Sequence, residues 1–299
     1  MSDPARQGSV LDLERPDPET GPGTPTPGAP AGPTPTQPDW KPFARNGEWR
    51  RAQAAATLSF APPSLIAALT SLSAFQEDVR ARRYPAARRA LEAYAVGLQD
   101  TQAETQGEAA LLRTLAEPEM LRRALGALDQ GAAERDPAGL QACLAPAEAH
   151  PLTRAEALNA LGVLHALRTE AGAARGRFEE ALAHDPGHYR ARMNLGNLAL
   201  EAGDPQQAEA EYREVLKLAP DYDGAHHNLG VALRRQGKVY ESVGSIRKAQ
   251  RLGVRRSQQE GREELREQFK NSPKLRLVRV AVIAVVVVIA ALLLFSRGG

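Results

Sequence analysis

The dipeptide Leu-Gly returns at one fixed interval along this chain. Leu161-Gly162, Leu195-Gly196 and Leu229-Gly230 stand 34 residues apart. Other positions keep the same step. Twelve residues past each glycine come Ala174, Ala208 and Ser242; sixteen past come Phe178, Tyr212 and Ile246; twenty-four past come Pro186, Pro220 and Val254. A period of this size marks a chain of supersecondary units, each burying its apolar face on the next copy. No stretch of useful length alternates with period two, so no strand is expected and the fold class is all-α. Gly and Ala belong where two helices press together, and the large residue fills the gap between neighbouring units. Proline ends the second helix because it has no N–H to donate. Gly203-Asp204 and Gly237 supply the turn inside a hairpin.

The order Leu-Gly, Ala, Phe or Tyr, Pro at a 34-residue step resembles the tetratricopeptide repeat. That resemblance implies a solenoid of helical hairpins with a concave face lined mainly by the first helix of each repeat. Three repeats fall at 155–188, 189–222 and 223–256. The third departs from the pattern at Ser242 and Val254, and Arg192 and His226 stand where the family often has a large apolar residue. Residues 40–154 read as helical, with degenerate hairpins at 121–154 and at 68–101, the latter through Tyr84, Ala87 and Leu91.

The concave face is a peptide-binding groove in the resemblance. Helical spacing puts Asn159 and Val163 of the first repeat on it, and Arg190, Asn194, Asn197 and Glu201 of the second. The third contributes His227, Asn228, Val231, Arg234 and Arg235. Asn194 and Asn228 each lie two residues before the repeat glycine. In family members that grip extended peptides, asparagines there bond the peptide backbone; an amide carries donors and an acceptor together. The alternative is that both are hydrogen-bonded within the solenoid. Ala160 holds the matching place in the first repeat, so such a ladder has two rungs.

The flanks differ in kind. Residues 1–39 form a Pro-rich arm expected to be disordered, with ten prolines by position 38. Trp40, Phe43 and Trp49 either pack on the first folded helix or serve as a docking motif. Residues 257–273 read as a polar helix capping the last repeat, followed by a linker. The run 277–296, centred on VAVIAVVVVIAALLLF, is a transmembrane helix by composition; a polar-free stretch of this kind approaches the roughly 30 Å hydrocarbon thickness. Lys270, Lys274, Arg276 and Arg279 precede the charge-free stretch 280–295 and keep the bulk of the chain cytoplasmic by the positive-inside rule. With no apolar run near Met1, no secretory signal is expected. The expectation is a single-pass protein, inserted through its C-terminal anchor after translation. Its Arg- and Ala-rich composition points to a bacterial inner membrane.

Composition excludes other classes. A formal net charge of +2 gives no field for nucleic acid. One cysteine, Cys143, forms no internal disulfide and reads as a small buried hydrophobe. Phosphate loops, H-E-x-x-H, C-x-x-C and G-x-S-x-G are absent from the sequence. His184 and His188 flank Pro-Gly, which breaks the helical spacing that two metal ligands need. No cofactor, metal or small-molecule substrate is expected. The leading reading is a membrane-tethered adaptor binding a protein or peptide. An assembly subunit whose anchor pairs with other membrane proteins comes second, and an enzyme with a site hidden in 40–154 comes third.

Overall fold

The computed structural model describes residues 38–271, which form helices and no strands. Short helices α1 (Lys41–Arg45) and α2 (Trp49–Leu58) lead into α3 (Pro63–Arg80) and α4 (Tyr84–Glu104), which pair as a hairpin. After α5 (Gln106–Leu115) a second hairpin is formed by α6 (Pro118–Gly131) and α7 (Pro137–Ala149). Three more follow: α8 (Pro151–Leu167) with α9 (Ala171–His184), α10 (Tyr189–Glu201) with α11 (Pro205–Leu218), and α12 (Asp223–Arg235) with α13 (Val239–Asn271).

The helix starts explain themselves locally. Proline opens α6, α7, α8 and α11, where its missing N–H costs nothing, and the residue before it caps the helix. Asp136 Oδ2 accepts from the Gly139 N–H at 2.8 Å and Asp204 Oδ1 from the Gln207 N–H at 2.9 Å. The turns inside the second and third repeats use Gly203 (φ +83°) and Gly237 (φ +78°). The first repeat makes the same left-handed turn with Thr169 (φ +62°), where a β-branched side chain is strained.

The repeat glycines do a specific job. A Cβ built on Gly162 would stand 2.5 Å from Phe178 Cε1, on Gly196 2.6 Å from Tyr212 Cε1, and on Gly230 2.6 Å from Ile246 Cγ1. The large residue therefore lies flat on the glycine of its own hairpin. Phe178 also joins Ala191, Leu195 and Leu198 of the next repeat in one cluster, so it wedges both interfaces at once.

Of the two readings of the early aromatics the structure shows packing: Trp40 and Trp49 are buried, Phe43 packs beside them, and all three lie on or next to α1 and α2. The polar stretch from 257 is not a separate helix among the described residues: α13 continues unbroken through it to Asn271, and 272–273 lie outside them. Val254 stands one period beyond Pro220, and unlike proline it keeps its N–H, so nothing ends the helix. Cys143 is half-buried, its Sγ 3.8 Å from the Ala127 carbonyl oxygen. Among the described residues no helix is long and apolar enough to cross a membrane. The run 277–296 lies outside them, as does the Pro-rich arm up to residue 37.

Candidate binding groove

Helices α8 and α10 present four of the expected groove residues around one hollow. Val163, Asn194, Asn197 and Glu201 line it together with Leu167 and Leu198, over a volume of about 160 Å³. Val163 and Leu167 also line an adjoining hollow of about 210 Å³ that reaches Arg82 and the α6–α7 hairpin at Glu134 and Arg135. Leu167 is 72% exposed, unusual for a leucine beside a concavity. Covering such a side chain is worth about 1.5–3 kcal/mol, against about 0.5–1.5 kcal/mol for one net hydrogen bond. An apolar anchor would therefore supply most of the affinity here, and the amides would supply orientation. Glu201 is exposed and is the one charged residue lining the smaller hollow.

The asparagines are joined to one another. Asn194 Nδ2 donates to Asn159 Oδ1 at 2.8 Å, and Asn228 Nδ2 donates to Asn197 Oδ1 at 2.8 Å. The Tyr212 hydroxyl also donates to Asn197 Oδ1, at 2.9 Å. Burial pushes that hydroxyl up to about 12, which keeps it a donor. Asn194 and Asn228 thus each commit an N–H to another asparagine and are half-buried; Asn194 lines the hollow, whereas Asn228 reaches it only through Asn197.

Asn159 is not a groove residue. It is fully buried, because α8 is covered on two sides: Leu152, Ala157, Leu161 and Leu164 face the preceding helices while Ala155 and Leu158 face the next repeat. Beside it lies Glu156, its side chain wholly buried. Tyr84 donates to Glu156 Oε1 at 3.2 Å, Arg82 Nε stands 3.2 Å from the same oxygen, and Asn159 Nδ2 donates to Oε2 at 3.1 Å. His188 caps α10 by accepting the Ala191 N–H on Nδ1, so its proton sits on Nε2. That nitrogen is 3.1 Å from Glu156 Oε2 but off line for a hydrogen bond. The α3–α4 turn is thereby pinned to the first two repeats.

The other expected residues lie elsewhere. Arg190 borders a different hollow, of about 580 Å³, with Arg83, Tyr189 and Tyr222, whose rings meet edge-on at 5.3 Å. Arg235 Nη1 donates to the Leu200 carbonyl at 2.7 Å, satisfying the open end of α10. His227 and Arg234 are exposed and Val231 is half-buried. The sequence reading missed Leu167 and Glu156. Both were within reach of the period, since Leu167 lies 34 residues before Glu201 and Glu156 34 before Arg190.

Two further polar sites are structural. A hollow of about 680 Å³ lies between α1–α2 and the loop at Asp185–Gly187. In its wall Arg80 and Asp185 spend their charges on each other through bonds of 2.7 and 2.6 Å. Glu209 ties the second repeat to the third, accepting from Lys238 and Gln236 at 2.8 Å each and from Arg213 at 2.9 Å. Burial would raise its carboxyl, but these donors override it and hold it at about 2.

Comparison with known proteins agrees with the repeat reading over part of the chain. Residues 168–233 match the family model described as tetratricopeptide repeat. No curated protein matches the chain. Among solved structures, one of MamA is similar at 19% identity and a TM-score of 0.37, covering 57% of this chain and 93% of that one. A second MamA structure gives 19% identity and a TM-score of 0.35, with 64% and 94% covered. The described residues are thus an all-helical stack of hairpins, of which 168–233 carries the tetratricopeptide repeat pattern.

Proposed function

We propose that this chain is a non-enzymatic adaptor that holds a protein segment in the groove of its repeats and keeps it at a membrane through the apolar run at 277–296. What carries the reading is the convergence of Leu167, Val163 and Leu198 with Asn194, Asn197 and Glu201 around one hollow: an apolar seat edged by amides and a single carboxylate. An apolar side chain flanked by main-chain polar groups fits such a surface. The tether is argued from sequence: residues 280–295 carry no polar side chain, and with its flanks the run approaches the roughly 30 Å hydrocarbon thickness, so lipid is its favourable surrounding. Concentrating a partner at a surface raises its effective concentration without new chemistry.

The two halves are tested separately. Full-length protein should sediment with membranes and be released by detergent, whereas a chain ending at Asn271 should stay in the supernatant. A photocrosslinking amino acid at Leu167 should capture a partner in both forms. Replacing Val163 by Glu should reduce that capture about tenfold or more, the cost of facing an apolar seat with a charge. Capture that depends on 277–296 would favour an assembly subunit whose anchor makes the contacts.

A further inference from the structure

Building on that groove reading, we propose that Glu156, buried out of reach of anything in the groove, sets the hydrogen-bonding polarity of Asn194 and so makes the groove select an extended peptide, through its main-chain N–H, over a helix.

The chain of donors runs one way. A carboxylate accepts and does not donate. Glu156 is ringed by the Tyr84 hydroxyl, Arg82 and the Asn159 amide, and Asn159 must turn its NH₂ toward it, at 3.1 Å. The group Asn159 has left is Oδ1, which takes the Asn194 NH₂ at 2.8 Å. An asparagine has one oxygen and one NH₂. With one N–H of its NH₂ committed inward, Asn194 is held with Oδ1 turned outward, where that oxygen calls for a donor from the ligand beside the second, uncommitted N–H. Flipping both amides would set oxygen against oxygen at Glu156 in a buried place, where a lost hydrogen bond is not replaced by water.

Asn197 has the opposite polarity. Its Oδ1 is occupied by Asn228 and Tyr212, so its NH₂ is left over. Asn194 and Asn197 are three residues apart on α10, neighbours on one helical face. The groove thus pairs an acceptor with a donor. An extended segment exposes an N–H and a C=O along one edge, in the manner of a strand meeting its neighbour. A helix has spent its interior N–H groups on its own carbonyls and has none for Asn194. Glu156 is a positioning residue in this account, acting through Asn159.

The test uses the full chain in detergent micelles and, as probe, a nonapeptide selected on it from a random linear library. Each peptide amide is replaced in turn by an ester, which removes one N–H. On the wild-type protein one position should weaken binding about tenfold, the size of one well-placed hydrogen bond. Glu156→Gln can donate to Asn159 and free the amides to flip, so the same ester should cost less than about threefold there. Should Glu156→Gln fail to fold, the wild type still decides: one of the two Asn194 side-chain N–H hydrogens, the one bonded to Asn159, should exchange slowly with solvent, with or without peptide. No sensitive ester position, a peptide bound as a helix, an undiminished penalty in a folded Glu156→Gln, or fast exchange of both Asn194 side-chain N–H hydrogens would each overturn the polarity lock while leaving the groove reading intact. Selected peptides that bind Leu167→Glu as well as wild type would overturn the groove reading and the lock together.

Discussion

The helices before the repeats and the repeats themselves are built from the same alphabet of Leu, Ala and aromatic residues, yet they bury it differently. From Trp40 through α3–α7 to Leu164 the buried side chains form one continuous cluster. Beyond that, the core divides into two smaller clusters, one around Phe178 and one around Tyr212, each at a junction between neighbouring hairpins. A continuous core fails as a unit, whereas a stack of nearest-neighbour junctions fails locally. The continuous part anchors the α3–α4 turn that reaches Glu156, and the segmented part leaves the hollow on α8 and α10 open.

Phe75, fully buried in α3, offers the hardest blow to that contrast. Phe75→Ala should cost about 3–5 kcal/mol, and hydrogen exchange should show α3 to α8 losing protection together. Loss confined to α3 and α4 would mean the first core is segmented too. Gly196→Ala comes next, at about 1–3 kcal/mol, because its Cβ meets the Tyr212 ring at 2.6 Å. Exchange should rise in α10 to α12 while α3 to α7 keep their protection.

Acid should separate the two regions in pH. His150 caps α8 by accepting the Leu152 N–H at 3.2 Å, and burial, helped by Arg154, lowers it from its ordinary 6.5 to about 4. Its contribution is complete above pH 6.5 and is lost as pH falls toward 4. Glu209 is lowered from 4.5 to about 2, so the junction of the second and third repeats weakens only as pH falls from 4.5 toward 2. Amide exchange followed against pH should show α8 loosening first, and Glu209→Gln should remove the lower window. The smallest effect is a gain. Thr169→Gly relieves a left-handed β-branched residue and should raise stability by about 0.5–1 kcal/mol, read from the denaturant midpoint. No change there would mean the first repeat's turn carries no strain beyond that of Gly203.

Much of the fold was legible because the repeat positions solve a local problem. Gly162, Gly196 and Gly230 each lie beneath a large residue sixteen places on, a relation visible as spacing alone. The groove was legible in part. Val163, Asn194, Asn197 and Glu201 follow from helical periodicity on α8 and α10. Asn159 obeys the same periodicity yet is buried, because the helices that cover α8 come from far earlier in the chain. The same long-range packing brings Arg82 and Tyr84 to Glu156.

By itself the sequence determined the helical class, the 34-residue unit and the faces of each hairpin, since these rest on contacts within one or two turns or one period. Only the tertiary structure decided which of those faces stays open and how the amides are oriented. Those outcomes depend on residues separated by many tens of positions, or on which neighbour an amide finds, and no periodicity in the chain encodes them.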